Sequence, residues 1–155
     1  MPEVVISDTS VLILLQNIEE LDLLKKVYGD LVITTQAVSE EFIESLPAWI
    51  TIRKVRDLKY QESLETQLDS GEASVIALAK ESTDPLLLLD DLKARKLAHK
   101  LKLKYTGTLG VIHKTKQKGI IHEVKPLLNK LLQHNFRISE KILGEFLKLN
   151  NENAG

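Results

Sequence analysis

Hydrophobic residues in this chain follow two rhythms. Short solid runs, Val4-Val5-Ile6, Leu31-Val32-Ile33 and Leu86-Leu87-Leu88-Leu89, alternate with longer stretches in which leucine, valine and alanine recur every three or four positions. A short run without polar alternation predicts a strand buried on both faces, as in a parallel sheet; the longer stretches predict helices. The first strand stops abruptly at Ser7-Asp8-Thr9-Ser10, which puts an acid at its carboxyl end. A helix over 9–18, apolar nearly all round, comes next, then an amphipathic helix over 19–28 stopped by Gly29. After a second strand over 31–34, Thr35 caps a helix expected to run through Leu46 with Val38, Phe42 and Leu46 inward. Pro47 marks its exit, and 49–55 reads as a short strand or extended piece.

Further on, 59–68 looks helical, and Asp69-Ser70-Gly71-Glu72 opens a helix over 73–81. Its alanines, Ala73, Ala77 and Ala79, permit close packing of helix on sheet. The buried strand over 86–89 ends at Asp90-Asp91; a helix over 92–101, a short strand over 104–106 and a helix over 111–118 capped by Gly119 follow. Two amphipathic helices, 123–133 and 139–149, close the chain with no strand between them. Strands and helices in alternation imply α/β architecture: a Rossmann-like parallel sheet of four or five strands flanked by helices, with two extra C-terminal helices. One domain over 1–150 is expected, its helical extension starting near 120, with a frayed tail from about Asn150 through 151–155.

Composition sharpens this only a little. A chain of 155 residues, 43% hydrophobic, is long enough for one sizeable core. Cysteine is absent, which removes disulfides, thiolate metal ligands and a thiol nucleophile. No basic segment precedes the first apolar run, and no apolar run nears the roughly 20 residues that span a bilayer, so the expectation is a cytoplasmic protein without membrane contact. The net charge of −1 argues against nucleic-acid binding by bulk charge alone. Lysines and arginines nevertheless crowd 93–104, including Lys93, Arg95 and Lys96, and local basic surface can hold phosphates whatever the total charge. A solvated helix face is the plainer account of the same charges.

The acids carry the candidate chemistry. Asp8 precedes a helix, and capping alone would explain it. Asp69 and Glu72 have capping-box spacing. The pair Asp90-Asp91 resists that account, since one acid suffices for a cap and adjacent carboxylates repel. Asp8 and Asp90/Asp91 end two strands, Glu41 lies two helical turns beyond the second strand, and Glu72 opens a helix. In a doubly wound sheet these places can share one edge, and three or four carboxylates there make an all-oxygen site suited to Mg²⁺ or Mn²⁺. Other signatures fail: Gly107-Thr108-Leu109-Gly110 lacks both the Walker lysine and the dinucleotide spacing, and the four histidines share no ligand spacing.

Five short motifs in order, Ser7-Asp8-Thr9-Ser10, Ala37-Val38-Ser39-Glu40-Glu41, Asp69-Ser70-Gly71-Glu72-Ala73, Leu88-Leu89-Asp90-Asp91 with Ala94-Arg95, and Gly107-Thr108-Leu109-Gly110, resemble the PIN-domain family. The likeness is nearest to its prokaryotic branch of predicted nucleic-acid-binding proteins, and it runs over nearly the whole chain. It implies a metal-dependent endoribonuclease leaving 5′-phosphate products, and many relatives are toxins of toxin–antitoxin pairs. By position, Asp8, Glu41, Glu72 and Asp91 match the catalytic and metal-binding acids, with Asp90 an added ligand. Thr9, Ser10, Asp69 and Thr108 match auxiliary positions, and Lys93, Arg95 and Lys96 would steer the RNA backbone. A small antitoxin-like partner and a homodimer are further implications. Leu92 follows the acid pair where relatives carry Arg, which leaves a non-catalytic RNA- or protein-binding module as the alternative.

Overall fold

The computed structural model describes residues 1–153; the last two positions of the expected tail, 154 and 155, lie outside the described residues. The three apolar runs and the two shorter expected segments form strands: β1 is Val4–Ser7, β2 Val32–Thr35, β3 Thr51–Arg53, β4 Pro85–Leu88 and β5 Lys104–Thr106. They pair in parallel as one five-stranded sheet in the order β3-β2-β1-β4-β5. Helices on both faces explain why β1 and β2 are buried along their whole length and why their sequences show no polar alternation. β3 forms the edge, and all three of its residues are exposed.

Around the sheet lie α1 (Thr9–Asn17), α2 (Asp22–Tyr28), α3 (Gln36–Glu41), α4 (Leu58–Leu64), α5 (Ser70–Lys80), α6 (Leu92–Lys100) and α7 (Thr108–Gln117), with α8 (Lys125–Gln133) and α9 (Glu140–Leu149) added at the C-terminus. Ile6, Leu12, Leu15, Leu24, Ile33, Ile76, Leu87 and Leu88 are fully buried between the layers, each contributing roughly 1.5–3 kcal/mol of transfer free energy. α5 is the most enclosed helix, buried without a break from Gly71 to Ala79, and its small side chains let it lie against the sheet. No helix among the described residues is long and apolar enough to cross a membrane.

Two expectations fail at the level of elements. α3 stops at Glu41 instead of continuing through Leu46, because Phe42 turns extended (φ −78, ψ 115). Phe42 still reaches the core, but the chain must leave the helix there for Leu46, Trp49 and Ile50 to pack against the same core and deliver β3 to the sheet edge. The second failure concerns the tail. Asn150 is buried; its Nδ2 donates to Phe146 O (2.8 Å) and its Oδ1 meets His113 Nδ1 (2.8 Å). Glu152 accepts from Lys116 Nζ (2.8 Å) and from the Val124 and Lys125 backbone N–H groups (2.9 and 3.2 Å). The end of the chain thus serves as a cap for the start of α8, whose own flanking residue offers no side-chain cap.

Candidate metal centre

Reading strand order outward from the middle of the sheet, β1 is followed by β2 and β3 on one side, and the chain then returns to place β4 on the other side. Strand order therefore reverses between β1 and β4, the crevice where open α/β sheets bind their ligands. The register pairs Ser7 with Leu88, and Asp8 N donates to Leu88 O (3.1 Å). Asp8 and the Asp90-Asp91 pair accordingly leave the sheet side by side. α3 and α5 bring Glu41 and Glu72 to the same edge.

Each acid is held by its own local device. Asp8 caps α1, with Oδ1 accepting from Thr9 N at 2.7 Å, and is 2% exposed. Thr9 Oγ1 donates to Glu41 Oε2 (2.9 Å), which ties the exposed Glu41 across to α1. Gly71 permits this: a Cβ there would stand 2.6 Å from Glu41 Oε1, so only glycine leaves the carboxylate its place. Asp69 and Glu72 form the expected capping box, Glu72 N to Asp69 Oδ1 at 2.8 Å and Asp69 N to Glu72 Oε1 at 3.3 Å. Asp91 caps α6 through Oδ2, which accepts from Ala94 N at 2.9 Å.

The adjacent pair divides its labour. Both oxygens of Asp90 are taken by Thr108, from its N–H at 2.8 Å and its Oγ1 at 2.6 Å, which anchors the start of α7. A Cβ on Gly107 would fall 2.4 Å from Asp90 Oδ1, so the glycine serves that approach and not a phosphate cradle. Asp8, Glu41, Glu72 and Asp91 differ from Asp90 in that each keeps one oxygen without a hydrogen bond from the described residues.

Electrostatics tie these acids together. Burial raises the Asp8 carboxyl to about 7, and the charges of Glu72, Asp69 and Glu41 add to the rise, against a lowering contribution from the Thr9 N–H. Burial likewise raises Glu72 to about 7, with Asp69, Asp91 and Glu41 pushing the same way. Mutual repulsion of this kind means that the carboxylates sense one another across the crevice. They approach without closing: among the described residues no three Asp, Glu or His side chains are gathered so as to hold a metal ion. In its chemistry the donor set suits a hard divalent cation, being all oxygen, partly buried and short of positive charge.

The remaining expected residues fall into two groups. Ser10 is exposed, as are Lys93 and Lys96 on α6. Arg95 is instead held inward, its guanidinium 5.1 Å from the Tyr105 ring centroid and its Nε buried with no hydrogen-bond partner. That placement sets the cation over the Tyr105 ring face, a cation–π contact that orients the half-buried side chain. Sequence reasoning missed the hydroxyls beneath the acids. Thr34 Oγ1 donates to Ser7 O (2.7 Å), Thr35 Oγ1 and Ser74 Oγ lie 2.7 Å apart, and Ser74 Oγ donates to Gly71 O (2.7 Å). The first bond ties β2 to β1, and the others tie the cap of α3 to the start of α5, the two helices that carry Glu41 and Glu72. Hydroxyls on an otherwise apolar strand end were the available signal.

A family model described as a PIN domain matches residues 4–152. The chain belongs to the PIN-domain family. No curated protein and no solved structure gives a match. PIN domains are generally nucleases that use divalent metals, and the parallel sheet with its acids at the reversal of strand order is a nuclease-like fold of that kind. At this coarse level the protein is a hydrolase.

Proposed function

We propose that this PIN domain is an Mg²⁺- or Mn²⁺-dependent endoribonuclease whose metal is held by Asp8, Glu41, Glu72 and Asp91. The observation that carries the reading is geometric: Asp8 and Asp91 leave neighbouring strand ends at the β1–β4 crevice, Glu41 and Glu72 come to the same edge, and each of the four keeps one carboxylate oxygen without a hydrogen bond from the described residues. In this reading Asp90, whose two oxygens each accept a bond from Thr108, serves first as the anchor of α7 and borders the four ligands. A bound divalent ion supplies Lewis acidity, acidifying water and offsetting charge that builds on a phosphoryl group. The chain's own part is to present oxygens in fixed places: Asp8 through the Thr9 N–H, Glu41 through the Thr9 hydroxyl, Glu72 through its capping box. Lys93 and Lys96, exposed just beyond Asp91, attract the phosphate backbone without reading sequence. A toxin role with a small antitoxin-like partner, a homodimeric assembly and a cytoplasmic setting complete the reading.

The test compares wild type with Asp8→Asn on single-stranded RNA with Mn²⁺. Cleavage is expected to fall roughly 10²–10³-fold, the usual cost of removing one electrostatic stabiliser. Equal cleavage by the two proteins overturns the proposal. One observation favours a non-catalytic module: Leu92, 67% exposed beside Asp91, sets an apolar side chain at the rim of the acids. Calorimetric titration with Mn²⁺ separates the two readings, since a module without a metal centre gives no heat of binding.

A further inference from the structure

The lysine-rich segment around α6 drew attention in the sequence, yet the better-built cationic surface lies on the opposite half of the sheet. Arg53, Lys54 and Arg56 follow one another from the end of β3 toward α4 and line a polar cleft of about 480 Å³ together with Glu3, Glu81 and Ser82. None of the three cationic side chains forms an ion pair or hydrogen bond with the described residues, although two acids share the cleft. Glu81 is otherwise engaged: its carboxylate accepts from the backbone N–H groups of Arg56 (2.8 Å) and Asp57 (3.2 Å). That bond fixes the segment carrying the cations and spends much of the opposing charge. Lys54 also lines a neighbouring cleft of about 340 Å³ with Glu40, Ser70 and Ser74, beside the helix ends that hold Glu41 and Glu72. Lys54 thus lines both clefts, one at the start of α5 beside Ser70 and Ser74 and the other at its end beside Leu78 and Glu81.

Resting on the ribonuclease reading, we propose that these two clefts together form the path of the single-stranded RNA backbone, with Arg53, Lys54 and Arg56 each neutralising a phosphate. An acidic catalytic edge repels a polyanion, so unpaired cations beside it are needed to hold the strand. α5 spans about 16 Å at 1.5 Å per residue, long enough for a short run of nucleotides to lie beside it.

The experiment measures fluorescence anisotropy of a labelled 12-nucleotide RNA in EDTA, over a range of KCl concentrations. Wild type is compared with the triple variant Arg53→Gln/Lys54→Gln/Arg56→Gln and with Lys93→Gln/Lys96→Gln. Single strands lose about 0.7 in log–log salt slope per phosphate contact. The triple variant is expected to lose about 2 in slope and at least tenfold in affinity at low salt, with an unchanged melting temperature. An unchanged slope in the triple variant, loss of the whole slope in the Lys93/Lys96 variant, or no binding by wild type overturns the path. Cleavage by Asp8→Asn is read independently, so failure of the nuclease reading and failure of this path are told apart.

Discussion

The Asp8 carboxyl, nearly sealed from solvent and facing Glu72, Asp69 and Glu41, ionises near pH 7 in the folded protein, while in the unfolded chain it ionises near the ordinary aspartate value. Glu72 is raised in the same direction. A raised folded pKa means that the native state binds more protons, so this contribution to stability is complete below about pH 4 and lost as pH climbs through about 7. In EDTA, wild type should therefore melt at a lower temperature at pH 8 than at pH 5.5, judged for these two groups, and Asp8→Asn should show a smaller drop. An equal drop in both proteins would sink the assignment. Metal binding needs the same carboxylates deprotonated, so Mn²⁺ affinity should rise between pH 6 and pH 8. Gly71 offers a second test at this scale. A Cβ there meets the end of the Glu41 side chain, which can swing away, so Gly71→Ala should change stability by no more than about 1 kcal/mol. It should nevertheless weaken Mn²⁺ binding about tenfold by displacing Glu41, as read by calorimetry.

Among the elements, α7 takes the anchor of its first turn from a distant side chain. Its first residue follows Gly107, which offers no side-chain cap, and the Asp90 carboxylate supplies one from the neighbouring strand end through Thr108. A hydrogen bond from a hydroxyl to a carboxylate is worth about 1.5–3 kcal/mol. Thr108→Val should lower the unfolding free energy by an amount in that range, read as a lower urea midpoint with the denaturant slope unchanged; a midpoint within error of wild type would remove the anchoring role. α3 illustrates how an element is decided from outside itself. Its helical pattern runs on past Phe42, but packing of Trp49 and Ile50 against the core outweighs propensity, since local preferences are worth only tenths of a kcal/mol per residue.

Across the whole molecule, the C-terminal residues join α9 to α7 and α8. Burial pushes the Glu152 carboxyl up, but Lys116 and the Val124 and Lys125 N–H groups outweigh it and hold the carboxyl below its ordinary range. The sign is opposite to that of Asp8: this stability is present above the ordinary glutamate value and lost as pH falls through the lowered one. Glu152→Ala should cost about 1–3 kcal/mol by removing the carboxylate that accepts from Lys116 and from the Val124 and Lys125 amides, a fall of several degrees in melting temperature. Composition alone suggested fraying there, since a charged Asn-rich end carries no apolar periodicity, and the acceptor it provides is recognisable only beside α8. The same division holds for the rest of the chain. Solid apolar runs and the 3.6-residue rhythm determined the strands, most of the helices and the parallel sheet, because burial on two faces leaves a direct mark on local composition. Acids at strand ends and helix starts were legible for the same reason, and their order along the chain resembled a known family. Which of them keep an oxygen free, why Asp90 parts company with Asp91, and why Gly71 must be glycine depend on distances between segments far apart in sequence. Only the tertiary structure decided those, because a carboxylate's role is set by the partners that reach it.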